Sequence, residues 1–176
     1  MNTTMTTKQL GKFFSLAEDL GLTPEAFQRA LENGKVAEHL NEWVVFNDKL
    51  VELIALGKYD RVHEKIVTKY FPVAKIPTLG QMKLCHFDCN ISSKDAKARM
   101  DRDFFRPATM AEGLVYASSN PEKQLEFPIL LLGSVAQIGS DRYVGMLCQK
   151  SGKRHLEIDK FDGGWGRHCR FLALHK

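Results

Sequence analysis

Cys148 and His155 are the two side chains of this sequence best placed to do chemistry together. Ser151–Gly152 between them fits a two-residue hairpin loop. That loop pairs Lys150 with Lys153, Gln149 with Arg154 and Cys148 with His155. Thiol and imidazole then share a face with Cβ atoms ~5 Å apart, close enough for the imidazole to activate the thiol. Glu157 is two residues beyond His155 on that face. Asp159, ~13 Å along the strand, is too far to orient the ring. The pair is therefore an incomplete triad unless another segment supplies a third member. A one-residue slip in register would put the two on opposite faces. The plainer alternative is two structural neighbours in a sheet.

Cys85-His86-Phe87-Asp88-Cys89 invites a metal reading. On a strand, residues four apart are ~13 Å apart, whereas zinc holds each sulfur at ~2.3 Å, so the two thiols cannot share an ion there. Their alternation with Phe87 and Ile91 makes them small core residues. His86 and Asp88 share the opposite face, ~6.6 Å apart, where they could hydrogen-bond a ligand or simply face water. Neither a metal nor a cofactor is expected.

Other chemistries fail on spacing. His63–Glu64 starts like a zinc-protease helix, but the fourth residue on is Val67 rather than His. Gly133–Ser134 lacks the flanking glycines of a nucleophile elbow. No glycine-rich phosphate loop with Gly-Lys-Ser/Thr is present. Gly163-Gly164-Trp165-Gly166 lacks the third glycine of a dinucleotide fingerprint and reads as a turn.

A basic set is the remaining candidate. The chain has 25 basic and 21 acidic residues, net +4. Residues 127–176 hold 8 of the basic and 4 of the acidic side chains, so the whole excess falls in the last third. Arg142, Arg154, Lys160, Arg167, His168 and Arg170 lie there, with Trp165 between glycines in a loop that would expose its ring. A basic sheet with an exposed aromatic is one way to hold nucleic acid or another polyanion. Basic edge strands that discourage aggregation are the alternative.

The elements that must position these residues are set by periodicity. Of the 176 residues 44% are hydrophobic and 26% charged, a globular composition. No apolar run approaches the ~18 residues of a spanning helix, so a membrane is not expected. The start, MNTTMTTKQLGKFF, has no apolar core of a secretory leader, and the four cysteines are expected reduced in a cytoplasm. Residues 1–70 read as helices: Leu10–Leu20 ending at Gly21, a second helix capped by Thr23, a third with Trp43, Leu50 and Ile54, and a fourth through Tyr59, Val62, Ile66 and Tyr70. Residues 71–126 are mixed: a strand over 83–91, a helix opened by Ser92 and Asp95, and a helix opened by Thr109 and Glu112. Residues 127–176 read as strands over 129–137, 142–150, 154–161 and 168–174. The expected architecture over 1–176 is one α+β domain: an N-terminal helical half and a C-terminal four-stranded antiparallel meander.

Ala17, Gly21, Leu22, Thr23, Phe27 and Glu32-Asn33-Gly34 resemble the helix-turn-helix of phage-repressor-like DNA-binding proteins over residues 13–33. The resemblance implies that Thr23, Glu25, Gln28 and Arg29 face a major groove. The segment holds one basic and four acidic side chains, which opposes contact with phosphates. The tail, from Phe127-Pro128-Ile129 through Leu132-Gly133-Ser134-Val135 to Trp165 and Cys169-Arg170-Phe171-Leu172-Ala173, resembles a family of small uncharacterised bacterial proteins; Phe105-Arg106-Pro107-Ala108-Thr109 fits the same pattern. That resemblance implies a bacterial cytoplasmic origin and no particular activity. The expected function is non-catalytic: a binding or accessory protein whose basic sheet meets an acidic macromolecule, nucleic acid or protein, with a homo-oligomer compatible. The alternatives are a thiol-dependent enzyme on Cys148 and His155, a helix-turn-helix DNA binder, and a protein-interaction module.

Overall fold

The computed structural model describes residues 49–78 and 80–176. The chain divides into two units, Met1–Val45 and Phe46–Lys176, and the described residues all belong to the second. The readings placed on residues 1–48, including the helix-turn-helix resemblance, lie outside the described residues.

Helical residues 49–57 (α1) lead into a two-residue strand, Arg61–Val62 (β1). Met82–Cys85 (β2) and Ile91–Ser92 (β3) come next, then the helix Ser93–Arg102 (α2) and Phe105–Pro107 (β4). Met110–Ser119 (α3) and Lys123–Glu126 (α4) precede the long strands Ile129–Ile138 (β5), Asp141–Lys150 (β6) and Lys153–Lys160 (β7). Gly164–Trp165 (β8) and Arg170–His175 (β9) end the chain.

The expected four-stranded antiparallel meander is not what forms. The fold is mixed α/β, built on a seven-stranded mixed sheet with order β1-β7-β6-β5-β9-β2, β4 also pairing with β9. β5, β6 and β7 do run as consecutive antiparallel neighbours. β9, however, does not add beside β7. It crosses to the far side of β5 and lies parallel to it, while Arg61–Val62 takes the outer edge of β7, also in parallel. Periodicity identifies strands but carries no information on their partners, so it does not reach the strand order. Burial on both faces does leave a signal in the sequence: the apolar run Ile129, Leu130, Leu131 and Leu132, all of them buried. Four consecutive apolar residues mark a sheet covered on both faces rather than one. Ile129, Leu131, Leu147, Leu156 and Leu172 pack with Leu50, Leu53, Leu114 and Ala117 on one side. Leu130, Leu132, Val144, Phe171 and Ala173 pack with Ala96, Met100, Phe161 and Trp165 on the other.

Two other expectations are corrected. The strand over 83–91 stops at Cys85; the chain turns through Asp88, whose φ is +48°, and β3 joins β8 in a separate two-stranded sheet. The helix expected through Tyr59–Tyr70 is instead β1 followed by turns, closed by Ile66 N–H to His63 C=O and Phe71 N–H to Val67 C=O. The helix starts of α2 and α3 are where their caps place them. Ser92 Oγ accepts from Asp95 N–H at 3.1 Å. Thr109 and Glu112 form a reciprocal capping box, and the buried Glu112 carboxylate also receives both terminal nitrogens of Arg106, at 2.9 and 2.6 Å.

β5 is interrupted between Leu131 and Val135, where its register against β6 shifts. There Gly133 N–H turns away to bond Ala108 C=O at 2.8 Å. A Cβ on Gly133 would lie 2.6 Å from the Ala108 carbonyl and from Pro107 O, so only glycine allows this backbone approach.

Candidate functional site

The β6–β7 hairpin sets Cys148 opposite His155, as the loop chemistry implies. Ser151 and Gly152 both take positive φ, +53° and +74°, the conformation of a tight two-residue turn. The third group near the ring comes from the same strand. His155 Nδ1 lies 3.3 Å from Glu157 Oε1, which also receives Lys150 Nζ at 3.3 Å and has Arg61 Nε at 3.9 Å. Burial would raise the Glu157 carboxyl, but hydrogen bonds from Lys150 and His155, with the charges of Lys150 and Arg61, carry it below the ordinary range. An ionised Glu157 makes Nδ1 the donor and fixes the ring's tautomer.

The thiol is the weak member. Cys148 is 5% exposed, and burial, reinforced by the Glu157 charge, pushes its thiol up despite the opposing Lys150. A nucleophile needs thiolate, and this environment disfavours it. The arrangement suits a buried polar anchor that ties β1, β6 and β7 around Glu157. The alternation of His155 and Glu157 on one strand face is legible in the sequence, but which carboxylate reaches the ring depends on side-chain geometry.

Most of the basic set is engaged by partners within the chain. Arg154 is enclosed by helix ends: its guanidinium donates to Gly57 C=O, to Ala117 C=O at 3.0 Å and to Gln124 Oε1 at 3.0 and 3.2 Å. It also lies over the Tyr59 ring at 5.0 Å, and its backbone N–H bonds Asp60 at 2.7 Å. Arg170 bonds the carbonyls of His168 and Cys169 and lies 4.6 Å from the Phe127 ring. Arg142 is paired with Asp162 and stands over Phe161, Lys160 reaches Asp141 at 3.0 Å, and Arg167 bonds Asp88 at 3.0 Å. His168 is exposed beside Gly166. Trp165 is the clear correction: it is 5% exposed, its Nε1 donates to Ser93 Oγ at 2.8 Å, and Ser93 Oγ donates to Phe161 C=O. Pairing of β8 with β3 draws this loop under α2, so the flanking glycines serve a buried ring.

Around residues 85–89, Cys85 is buried and its thiol raised by burial. Half-buried Cys89 accepts from Arg99 Nη1 at 3.7 Å, and His86 Nε2 donates to Arg167 C=O at 2.9 Å. Among the described residues no group of three or more His, Cys, Asp or Glu could hold a metal ion, and all four cysteines are free.

One surface lies outside the sequence-predicted set. α2 reads SKDAKARMDR, four cations in ten residues. Ser93, Ala96 and Met100 face the core, while Lys94, Arg99 and Arg102 are exposed and Lys97 partly so. The charge of α2 is visible in its composition, but it falls before the basic last third and is offset there by neighbouring acids.

No protein-family model matches the chain, and neither the curated proteins nor the solved structures give a match. Among the described residues no helix is long and apolar enough to cross a membrane.

Proposed function

We propose that this chain is a non-catalytic cytoplasmic binding protein that meets an acidic macromolecule through its C-terminal unit, nucleic acid being the class to test first. The observation that carries the reading is charge segregation. Residues 46–176 hold 21 basic and 15 acidic side chains, net +6, against net −2 for residues 1–45. A cationic unit attracts polyanions and releases their counterions on binding. The buried Cys148, its thiol pushed up by burial and the Glu157 charge, gives no support to a thiol enzyme. The test is binding of the full chain to single- and double-stranded DNA and RNA, and to an acidic polymer such as heparin, at about 50 and about 200 mM salt. The reading expects binding that weakens steeply with salt. Failure to bind any of them at the lower salt refutes it.

A further inference from the structure

The exposed face of α2 points to a specific form of this function and rests on the acidic-partner reading. We propose that this face, with Phe104 just beyond its C-terminal end, binds single-stranded nucleic acid: the cations of α2 track the phosphates and a base stacks on the Phe104 ring.

The charges are the first support. Lys94, Lys97, Arg99 and Arg102 all lie outside the buried stripe of Ser93, Ala96 and Met100, on the arc that also carries Asp95 and Asp101. Among the described residues none of them is within ion-pair distance of a carboxylate, although Lys94 is near enough for its charge to help lower the Asp162 carboxyl. The acids of the helix are already engaged, Asp95 by Ser92 and Asp101 by Lys176. Helix stability explains only part of this pattern. Arg99 and Arg102 suit the negative end of the helix dipole, but Lys94 sits in the first turn, where a cation is unfavourable. Lys97 and Arg99 are steadied over the rings of Phe161 and Phe87, at 5.8 and 5.5 Å. The result is a set of cations spanning about 12 Å along the helix.

Phe104 is the second, independent support. The residue is 69% exposed and its φ is +63°. Bulky residues rarely take this conformation, and glycine would hold the same turn without strain. The backbone of Phe104 is used, donating to Asp101 C=O at 3.1 Å and accepting from Lys176 N–H at 2.9 Å. The ring enters none of the described aromatic or cation contacts. An exposed ring at the end of a cationic track is the arrangement that binds single strands with little sequence preference. A duplex keeps its base faces stacked and offers a lone ring nothing to cover, so the occupant is single-stranded.

The experiment is fluorescence anisotropy of the full chain with a fluorescein-labelled DNA oligonucleotide of about 12 nucleotides. It compares wild type, Phe104→Gly and Arg99→Ala/Arg102→Ala at two salt concentrations, each with a thermal melt. Phe104→Gly is expected to weaken binding about tenfold with an unchanged salt slope, while melting no lower than wild type. Arg99→Ala/Arg102→Ala is expected to weaken binding and flatten the slope of log K against log salt by about 1.4. Wild-type binding that neither variant alters overturns this surface and leaves the acidic-partner reading standing. A Phe104→Gly protein that melts lower as it binds less overturns the stacking role. No binding of the oligonucleotide by wild type, with binding to heparin retained, overturns the nucleic-acid form alone. No binding to either overturns both.

Discussion

Replacing Arg154 by alanine should destabilise the C-terminal unit far more than an ordinary surface arginine would. The guanidinium joins three helices to the sheet, through the carbonyls of Gly57 at the end of α1 and Ala117 in the last turn of α3, and through Gln124 in α4. The carbonyls left at helix ends carry the negative pole of each dipole, so a cation there is doubly favourable. One charge-assisted hydrogen bond contributes about 1.5–3 kcal/mol, and the contact over Tyr59 adds about 1 kcal/mol. These contributions share one side chain and do not add in full, and partial exposure lets water replace some of them, so a loss of about 3 kcal/mol is expected. For a unit of this size that lowers the melting temperature by about 10 °C and moves the urea midpoint down by about 1.5 M. Arg154→Lys keeps the charge but cannot reach several acceptors in one plane, so it should fall about halfway. Urea unfolding followed by circular dichroism measures both variants. If Arg154→Ala unfolds at the wild-type midpoint yet binds nucleic acid more weakly, Arg154 does not tie the helix ends together and acts on a ligand instead.

Three further outcomes are expected. Glu157→Gln removes the charge that helps hold the Cys148 thiol up, so Cys148 should alkylate faster at pH 8 than in wild type, read by peptide mass spectrometry; an unchanged rate would mean that burial alone protects it. Because the folded carboxyl of Glu157 is depressed below its unfolded value, it stabilises the fold above about pH 4.3, and that contribution is lost as pH falls through the folded value. The variant should therefore show a flatter loss of stability on the acid side. Gly133→Ala places a Cβ 2.6 Å from the Ala108 carbonyl, where backbone rather than a flexible side chain must yield. It should cost about 3 kcal/mol in a urea titration, and a change under about 0.5 kcal/mol would show that the two chain segments can part.

Much of the local structure is legible in the residues themselves. Thr109 and Glu112 specify a helix start through side chains that satisfy free N–H groups three positions apart, and the structure places the helix there. Ser151–Gly152 fixes a hairpin, and with it the pairing of Cys148 with His155, because positive φ at both loop positions twists the strands into register. These features involve neighbours within a few residues, so the sequence contains both partners of each interaction.

Tertiary packing decided the rest. Strand alternation cannot say that β9 crosses to lie parallel to β5, or that Arg61–Val62 closes the edge of β7. Those choices depend on which apolar surface each connection can cover. The same holds for side chains of functional type. Trp165 between glycines reads as exposed until β8 pairs with β3 and puts its ring under α2. Arg154 reads as available until helices distant in sequence bring their C-terminal carbonyls around it. Cys148 opposite His155 leaves a reactive pair open as an alternative until burial and the Glu157 charge hold the thiol's proton. Composition determined that the chain carries excess positive charge. Only the fold decided that the cations of α2 lie outside its buried stripe, with an exposed Phe104 just beyond the helix end.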